Sequence, residues 1–580
     1  MANAIIDTFD LWTTAQNLKT SNRGLSASNQ SLLGIKKLRE LILELAVSGK
    51  LVPQDPNDEP VSVLLKKIEK EKRQLIQEGK IKKKEHSFKV SGDEYPFDLP
   101  KSWRWTRIID CFSIVSGTSF DKTKELDNGP YLYVKVADMN LDGNEVEITN
   151  SSRFYKPTNK ELNALIPAGS IIFPKRGGAI ATNKKRLIKR DLFVDLNIMA
   201  ITPLKGISLD YAYRWLMGID LERLNTGTSV PQINHKDIAP LFFPLPPLAE
   251  QHRIVSKVDE LMVLCDQLEQ EQTNNNEAHQ TLIDTLLGTL TNAESHADFE
   301  EAWQRIANHF DTLLTTEHSI DQLKQTILQL AVMGKLVPQN PDDEPASELL
   351  KKIAKEKARL VKEGKIKKQK PLPEIEENEK LLNLPTSWGI SRLGTFTVVG
   401  TGSTPSRDKG QYYFPQEFNW VSSGETNQDF IFDTDEKISS LALKETNVSI
   451  YPIGSLIIAM YGQGKTRGQV SELMIEAGTN QACAAIILIN KEEAHRKYLK
   501  YFFKKAYEEL RSHAAGGAQP NLNLGKVANT VIPLPPLAEQ QRIVAKVDEL
   551  FALCDALKEL LRDAQALQNQ LAVAVVEQAV

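Results

Sequence analysis

Three near-motifs come close to catalytic chemistry, and they fail on spacing, residue type and setting in turn. Gly462-Gln-Gly-Lys-Thr466 ends like a phosphate-cradling loop, but the residue five before Gly464 is Ala459, where that loop needs its first glycine. An adenine-N6 methyltransferase clamps its base with Asn or Asp, two prolines and an aromatic. The proline pairs here read Leu245-Pro-Pro-Leu248 and Leu534-Pro-Pro-Leu537, with neither the polar residue nor the ring. Glu69-Lys70 imitates a nuclease pair but sits in a lysine-rich helical pattern, where a solvated face is the simpler account. No Ser-His-Asp or Cys-His grouping suggests itself. Binding chemistry remains. Pro174-Lys-Arg-Gly-Gly178 contributes Lys175, Arg176 and Gly177, and Asn183-Lys-Lys-Arg186 adds Asn183, Lys184, Lys185 and Arg186. The second half offers Gly462, Lys465 and Arg467, with Gly177 and Gly462 spaced 285 apart. Glycine permits close backbone approach, and Arg and Lys suit phosphates or the guanine O6/N7 edge. An ordinary solubilising turn is the competing reading. Asn234 and Asn523 occupy equivalent places and suit either an adenine edge or a helix cap.

The elements that must carry these loops are duplicated. Pro244–Glu269 returns as Pro533–Lys558 with 20 of 26 positions identical. Prolines at 246–247 suit the first turn of a helix. Apolar residues then recur in steps of 4 and 3: Ile254, Val258, Leu261, Cys265 and Leu268, against Ile543, Val547, Leu550, Cys554 and Leu557. That heptad seam predicts long helices packed along other helices, against the alternative of a helix lying on its own domain. Gln272, Asn275 and His279 interrupt the first seam, and Leu282, Leu286 and Leu290 resume it. A continuous 248–290 helix would span about 60 Å. Upstream, Leu38–Glu85 matches Leu323–Lys370 at 32 of 48 positions. Each copy reads as a helix ending at Gly49 or Gly334, a proline-rich turn, and a very basic helix ending at Gly79 or Gly364. The Lys80–Lys84 and Lys365–Lys370 tails suit phosphates or partner proteins equally. Between these frames lie diverged segments of short β-type runs: Tyr131–Val136, Ser170–Phe173 and Phe193–Ile201, against Phe418–Val421, Ser455–Ala459 and Ala484–Ile489.

At 580 residues the chain needs more than one core. Its net charge of −4 confines any nucleic-acid role to local basic patches. No apolar run approaches the ~20 residues of a membrane span, and Met1–Thr20 lacks a signal-peptide core, so a cytoplasmic protein without membrane partners is expected. Four scattered cysteines indicate neither a disulfide framework nor a zinc site.

Near-identical frames around different globular segments resemble the specificity (S) subunits of type I restriction-modification systems. The resemblance rests on Pro-Leu-Pro-Pro-Leu-Ala-Glu-Gln-x-Arg-Ile-Val at 244 and 533, and on Leu99-Pro-Lys-Ser-Trp103 and Leu384-Pro-Thr-Ser-Trp388. Gln519-Pro-Asn-Leu-Asn-Leu524 and the looser Val230-Pro-Gln-Ile-Asn234 complete it, and add Gln519 and Asn521 to the DNA-contact candidates. The arm before the first head is long for the family. The resemblance implies an α+β fold with a pseudo-two-fold internal repeat, in which long antiparallel coiled-coil-like helices join two globular α/β target-recognition domains. The expected division is a helical arm at 1–98, recognition domains at 99–243 and 384–532, and helical regions at 244–383 and 533–580. It further implies a non-catalytic subunit whose domains each read one half of a bipartite double-stranded DNA site, with the helices as ruler. Two methyltransferase (M) subunits would dock on the helices, at surfaces built from 35–85 with 533–580 and from 320–370 with 244–290, and restriction (R) subunits would join them. S-adenosylmethionine, ATP and Mg would belong to those partners, with no metal or cofactor in this chain. The competing classes are a self-contained DNA methyltransferase or endonuclease, and a coiled-coil adaptor that binds no DNA.

Overall fold

A computed structural model describes residues 12, 17–18, 30–31, 33–79, 95–226, 230–379, 384–462, 466–512 and 522–579. Of these, 12, 17–18, 30–273 and 565–579 form one compact unit and 274–564 a second.

In the first unit α1 (Leu33–Val47) buries Ile35, Leu38, Ile42 and Leu45, the expected helical face. It stops at Gly49, whose φ of +72° suits glycine. A Cβ there would also meet the Pro100 ring at 2.5 Å, so the glycine lets the start of the head lie against the helix end. After the proline turn, α2 (Val61–Gln77) buries Val61, Leu64 and Ile68. The head opens with a strand, Arg104–Arg107, that pairs antiparallel with the head's last strand, Phe242–Leu245. Between them lies an antiparallel sheet ordered Phe112–Ser116, Ile198–Pro203, Ser170–Pro174, Arg186–Ile188. A smaller mixed sheet centres on Tyr131–Val134. The expected single run Phe193–Ile201 is two strands. Phe193–Val194 joins the small sheet and Ile198–Pro203 the large one, because the chain turns at Asp195-Leu196-Asn197. Helix α3 (Leu209–Met217) packs in the core between head and frame. Prolines 246–247 then lead into α4 (Leu248–Asn292), continuous through 45 residues despite the polar interruption of its seam.

The second unit repeats this plan. Helices α5 (Glu317–Val332) and α6 (Ala346–Lys362) form the arm. The neck ribbon pairs Gly389–Arg392 with Val531–Leu534. The main sheet has five strands, ordered Thr397–Thr401, Cys483–Leu488, Leu456–Ala459, Val470–Leu473, Phe430–Ile431. Helix α7 (Glu493–Lys505) replaces α3, and α8 (Leu537–Ala579) replaces α4. Ile283, Leu287 and Leu290 at the end of α4 join the second unit's core, whereas Ala572 and Val576 at the end of α8 join the first. Residues 248–273 of α4 thus belong to the first unit and 274–292 to the second, whereas 537–564 of α8 belong to the second and 565–579 to the first.

The repeated motifs fasten each head to its own helix. Arg253 makes a two-pronged ion pair with Asp58 at 2.6 and 3.1 Å, and Arg542 does so with Asp343 at 2.6 and 3.3 Å. The Gln251 and Gln540 amides are buried and donate to the Pro246 and Pro535 carbonyls at 3.0 and 2.8 Å. The Tyr211 and Tyr498 hydroxyls donate to Pro244 and Pro533 carbonyls at 2.9 and 2.6 Å. Trp388 Nε1 donates to Glu539 at 3.0 Å, and burial pushes the carboxyls of both Glu539 and its counterpart Glu250 up.

This packing corrects the frame expected above. Arm α1 lies on α4, with Arg39 reaching Asp266 and Glu269 at 2.7 and 2.8 Å, rather than chiefly on 533–580. Arm α5 lies on α8, through Arg562–Glu317 and Lys558–Asp321. The seam residues Ile254, Val258 and Cys265 are buried in the first unit's core, with Leu261 and Leu268 half-buried at its edge. Ile543, Val547 and Cys554 are buried in the second, with Leu550 and Leu557 at its edge. The seam is real, but it packs on the chain's own arms and so presents no docking face.

His495 at the start of α7 is fully buried, held by Gln540 Oε1 at 3.0 Å and set edge-on to Phe396. Burial lowers its pKa to about 4. Below pH 6.5 an unfolded chain takes up a proton that the fold refuses, so stability falls as pH drops from 6.5 toward 4, by at most about 3 kcal/mol. Urea midpoints should fall across that window for the wild type and stay flatter for His495→Gln.

Candidate nucleic-acid interface

In the first head the two candidate stretches meet. The loop after Ser170–Pro174 and the segment before the last strand pair through a bridge between Arg176 and Gln232. Gly177 N donates to Pro231 O at 2.8 Å, and Ile233 N donates to Lys175 O at 2.9 Å. Gly177 has φ +78°, a turn that glycine makes without strain. The Arg176 side chain is exposed and carries no ion pair among the described residues. Opposite it, the Gln232 amide donates to Asn234 Oδ1 at 2.9 Å, which fixes its plane. An arginine fork beside an oriented amide is a pair suited to guanine and adenine edges.

Below this surface lies a polar network that the sequence did not suggest. Lys175 Nζ donates to Ser116 Oγ at 2.9 Å, and Ser116 lies 3.2 Å from His235 Nε2. Partial burial and then the neighbouring Arg176 lower the Lys175 pKa. Lys175 therefore points inward and braces the loop, while Arg176 points out. Ser116 ends one strand and His235 starts a short helix, residues 119 apart in sequence, so no local spacing could announce them.

Several other candidates are structural. Lys185 is 1 % exposed, with Nζ donating to Asn183 Oδ1 at 2.7 Å and Ile219 O at 2.6 Å. Asn183 adopts φ +53° and accepts from Leu221 N at 2.9 Å. Arg186 donates to the carbonyls of Lys185 and Met139. A buried cation with its donors spent inside the fold cannot meet DNA, so Lys185 leaves the interface, while the bonds of Asn183 and Arg186 hold the same segment to the head. Lys184 is half-buried and bonded to Asn140. Asn234 N donates to Asp237 at 2.7 Å at the start of helix His235–Ile238. Asn523 caps helix Leu524–Asn529 by accepting from Lys526 N at 2.9 Å. Asn523 is thus a cap, whereas Asn234 stands at the N-cap position with its side chain turned to Gln232. Glu69 pairs with Arg73 on α2, a solvated helical face.

In the second head Gly462 is exposed with φ +147°, and Arg467 is half-buried. Lys465, Gln519 and Asn521 lie outside the described residues, as do Lys80–Lys84. Both heads share one tight crossing after the first strand of the main sheet. A Cβ on Gly117 would meet Asp195 O at 2.1 Å, and one on Gly402 would meet Thr479 O at 1.6 Å. Equivalent glycines thus carry each chain from the large sheet to the small one.

Residues 100–277 and 385–565 match the family described as Type I restriction modification DNA specificity domain. The chain is 37% identical to the type I restriction enzyme EcoAI specificity subunit of Escherichia coli, over 99% of each. It is 35% identical to the EcoEI specificity subunit of Escherichia coli, again over 99% of each. The HsdS subunit from Thermoanaerobacter tengcongensis, a crystal structure, aligns at 18% identity over 83% of this chain and 98% of that one, with a TM-score of 0.40. Two domain copies over more than half of its length, and end-to-end relatives, show that the chain belongs to the family of type I restriction-modification specificity subunits.

Proposed function

We propose that each head reads one half of a bipartite double-stranded DNA sequence, and that the chain is a non-catalytic recognition subunit of a multisubunit methyltransferase and endonuclease. One observation carries the reading: two diverged heads are clipped by neck ribbons of the same four-pair register onto near-identical frames. The mounting is the same in both halves and the mounted surfaces differ, as two different half-sites require. The Arg176–Gln232 surface is the reader of the first half. Lys465 and Arg467 on the Gly462–Gly468 loop are the candidates for the second.

The docking face for two M subunits flanks the seam. On α8, Leu553 and Leu560 are 62 % and 66 % exposed and seven residues apart. On α4, Val263 and Leu264 are half exposed, and Leu264 is the repeat equivalent of Leu553. One exposed leucine thus stands at the same place in both units, as docking of two copies of one partner requires. Those subunits supply the S-adenosylmethionine chemistry, R subunits supply the ATP- and Mg-dependent step, and the long helices set the spacer. Among the described residues no helix is long and apolar enough to cross a membrane.

Mapping methylated adenines in host DNA with and without the gene tests the reading, and should show one bipartite sequence lost on deletion. Arg176→Ala should relax or weaken the first half-site alone by about 1–3 kcal/mol. A methylation pattern indifferent to the gene would overturn the assignment.

A further inference from the structure

The basic arm helices are not consumed by the fold. Residues 346–370 hold ten lysines and arginines against three carboxylates, in a chain whose net charge is −4. The inner faces of both helices are fully used. Leu64 and Ile68 on α2, and Leu349 and Ile353 on α6, lie in their units' cores. One lysine at the equivalent place on each also turns inward. Lys72 Nζ pairs with Asp110 at 3.0 Å, and Lys357 Nζ donates to the carbonyls of Gly394 and Thr397 at 2.7 and 2.8 Å. Both anchors belong to the adjoining head, so each basic helix is fixed to the domain beside it.

The outer faces are a different matter. Lys66, Lys70, Arg73 and Gln77 follow one another at helical spacing along α2, and Lys352, Lys355, Arg359 and Lys362 do so along α6. Glutamates offset some of this charge: Arg73 pairs with Glu69, Lys352 with Glu344, and Arg359 with Glu356 and Glu363. Lys66, Lys70, Lys355 and Lys362 are exposed and carry no ion pair among the described residues. Clustered like charges repel one another, so they add nothing to folding. From Lys66 to Gln77 the helix rises about 16 Å. Duplex DNA presents one phosphate charge per ~1.7 Å of its axis, so a stripe of that length meets several phosphates at once. The face carries no aromatic side chain on which an unstacked base could lie, which favours a duplex over a single strand.

We infer that the outward faces of α2 and α6 are phosphate-binding tracks that hold duplex DNA without regard to sequence, one beside each head. This deepens the proposed function and rests on it. The tracks supply affinity and salt dependence, and the head loops supply discrimination.

The test is a full-length chain carrying Lys66→Gln, Lys70→Gln, Lys355→Gln and Lys362→Gln, compared with the wild type on duplexes containing or lacking the methylated sequence, between 50 and 200 mM salt. Affinity should fall by the same factor on both duplexes. The slope of log affinity against log salt should shrink by about 0.9 for each phosphate no longer neutralised, about 3 to 4 in all. The sequence preference should stand, and unfolding midpoints should not move, because none of the four lysines is buried. An unchanged slope with wild-type preference intact overturns the tracks and leaves the proposed function standing. The same result with weakened capture of the methyltransferase subunit assigns the faces to that protein instead. A wild-type chain without any preference between the duplexes would sink the proposed function itself.

Discussion

A chain carrying Val547→Asp is expected to lose its second unit, whereas Leu560→Asp is expected to fold normally and fail only in assembly. The two positions lie on one helix. Val547 is fully buried in the core that α8 shares with arm α5, together with Ile543, Cys554, Leu323 and Ile327. An aspartate there would be a charge with no partner in an apolar site, or a neutral acid forced to hold its proton. Either costs several kcal/mol, comparable with the whole stability of a domain. Val547→Ala removes only two methyl groups and should cost about 1–3 kcal/mol. Leu560 is mostly in solvent, so its replacement should leave the urea midpoint within about 0.5 kcal/mol of wild type. Circular dichroism in urea separates the three, and co-purification with the methyltransferase subunit reports assembly. Normal folding of Val547→Asp would mean that the seam faces a partner after all.

That contrast marks where the sequence stopped being legible. Periodicity found the long helices, their proline starts and the buried face of α1, because burial repeats every three or four residues along one element. It could not say which surface the seam meets, since a heptad stripe reads alike against a partner's helix or the chain's own arm. Arg39 on Asp266, and Arg562 on Glu317, are contacts 227 and 245 residues apart that decide the matter. The loops behaved likewise. Glycine and cation spacing located the Arg176 turn, but composition treats Lys175, Arg176 and Lys185 alike. Only the fold turns one inward to Ser116, one outward, and buries the third against Ile219 O. Gln232 passed unnoticed because its value depends on the bridge to Arg176. The neck ribbons were also missed: four-residue strands such as Arg104–Arg107 carry too little pattern, and their partners lie more than a hundred residues away.

Those ribbons set up the largest change in specificity. Replacing residues 108–241 by the corresponding segment of another specificity subunit should rewrite the first half-site and leave the second intact. The register pairs Arg107 with Phe242 and Arg104 with Leu245, so the segment leaves and re-enters the frame at one place. A graft joined there keeps the strands, the prolines and the frame of the host. It must also satisfy three contacts that reach from α3 onto the frame. The Ser208 amide donates to Gln251 at 2.7 Å, the Tyr211 hydroxyl donates to Pro244 O, and Arg214 pairs with Asp259. Each is worth about 1 kcal/mol; the Ser208 bond comes from a backbone amide that any residue but proline supplies, whereas losing Tyr211 would leave the buried Pro244 carbonyl without its hydroxyl donor. A donor with a tyrosine at the Tyr211 position should therefore fold with little loss, and one without it should be less stable by about 1–3 kcal/mol. In the folded chimera, methylation at the original bipartite sequence should fall toward the non-specific level, a drop of about 10³-fold or more. A new sequence should appear that joins the donor's half to the unchanged second half. The second half should persist because its reader, its ribbon at Gly389–Arg392 and its arm on α5 and α6 share no residue with the exchanged segment. Adenine-methylation mapping of the chimera decides it: change in both halves, or in neither, would mean that the heads do not read independently.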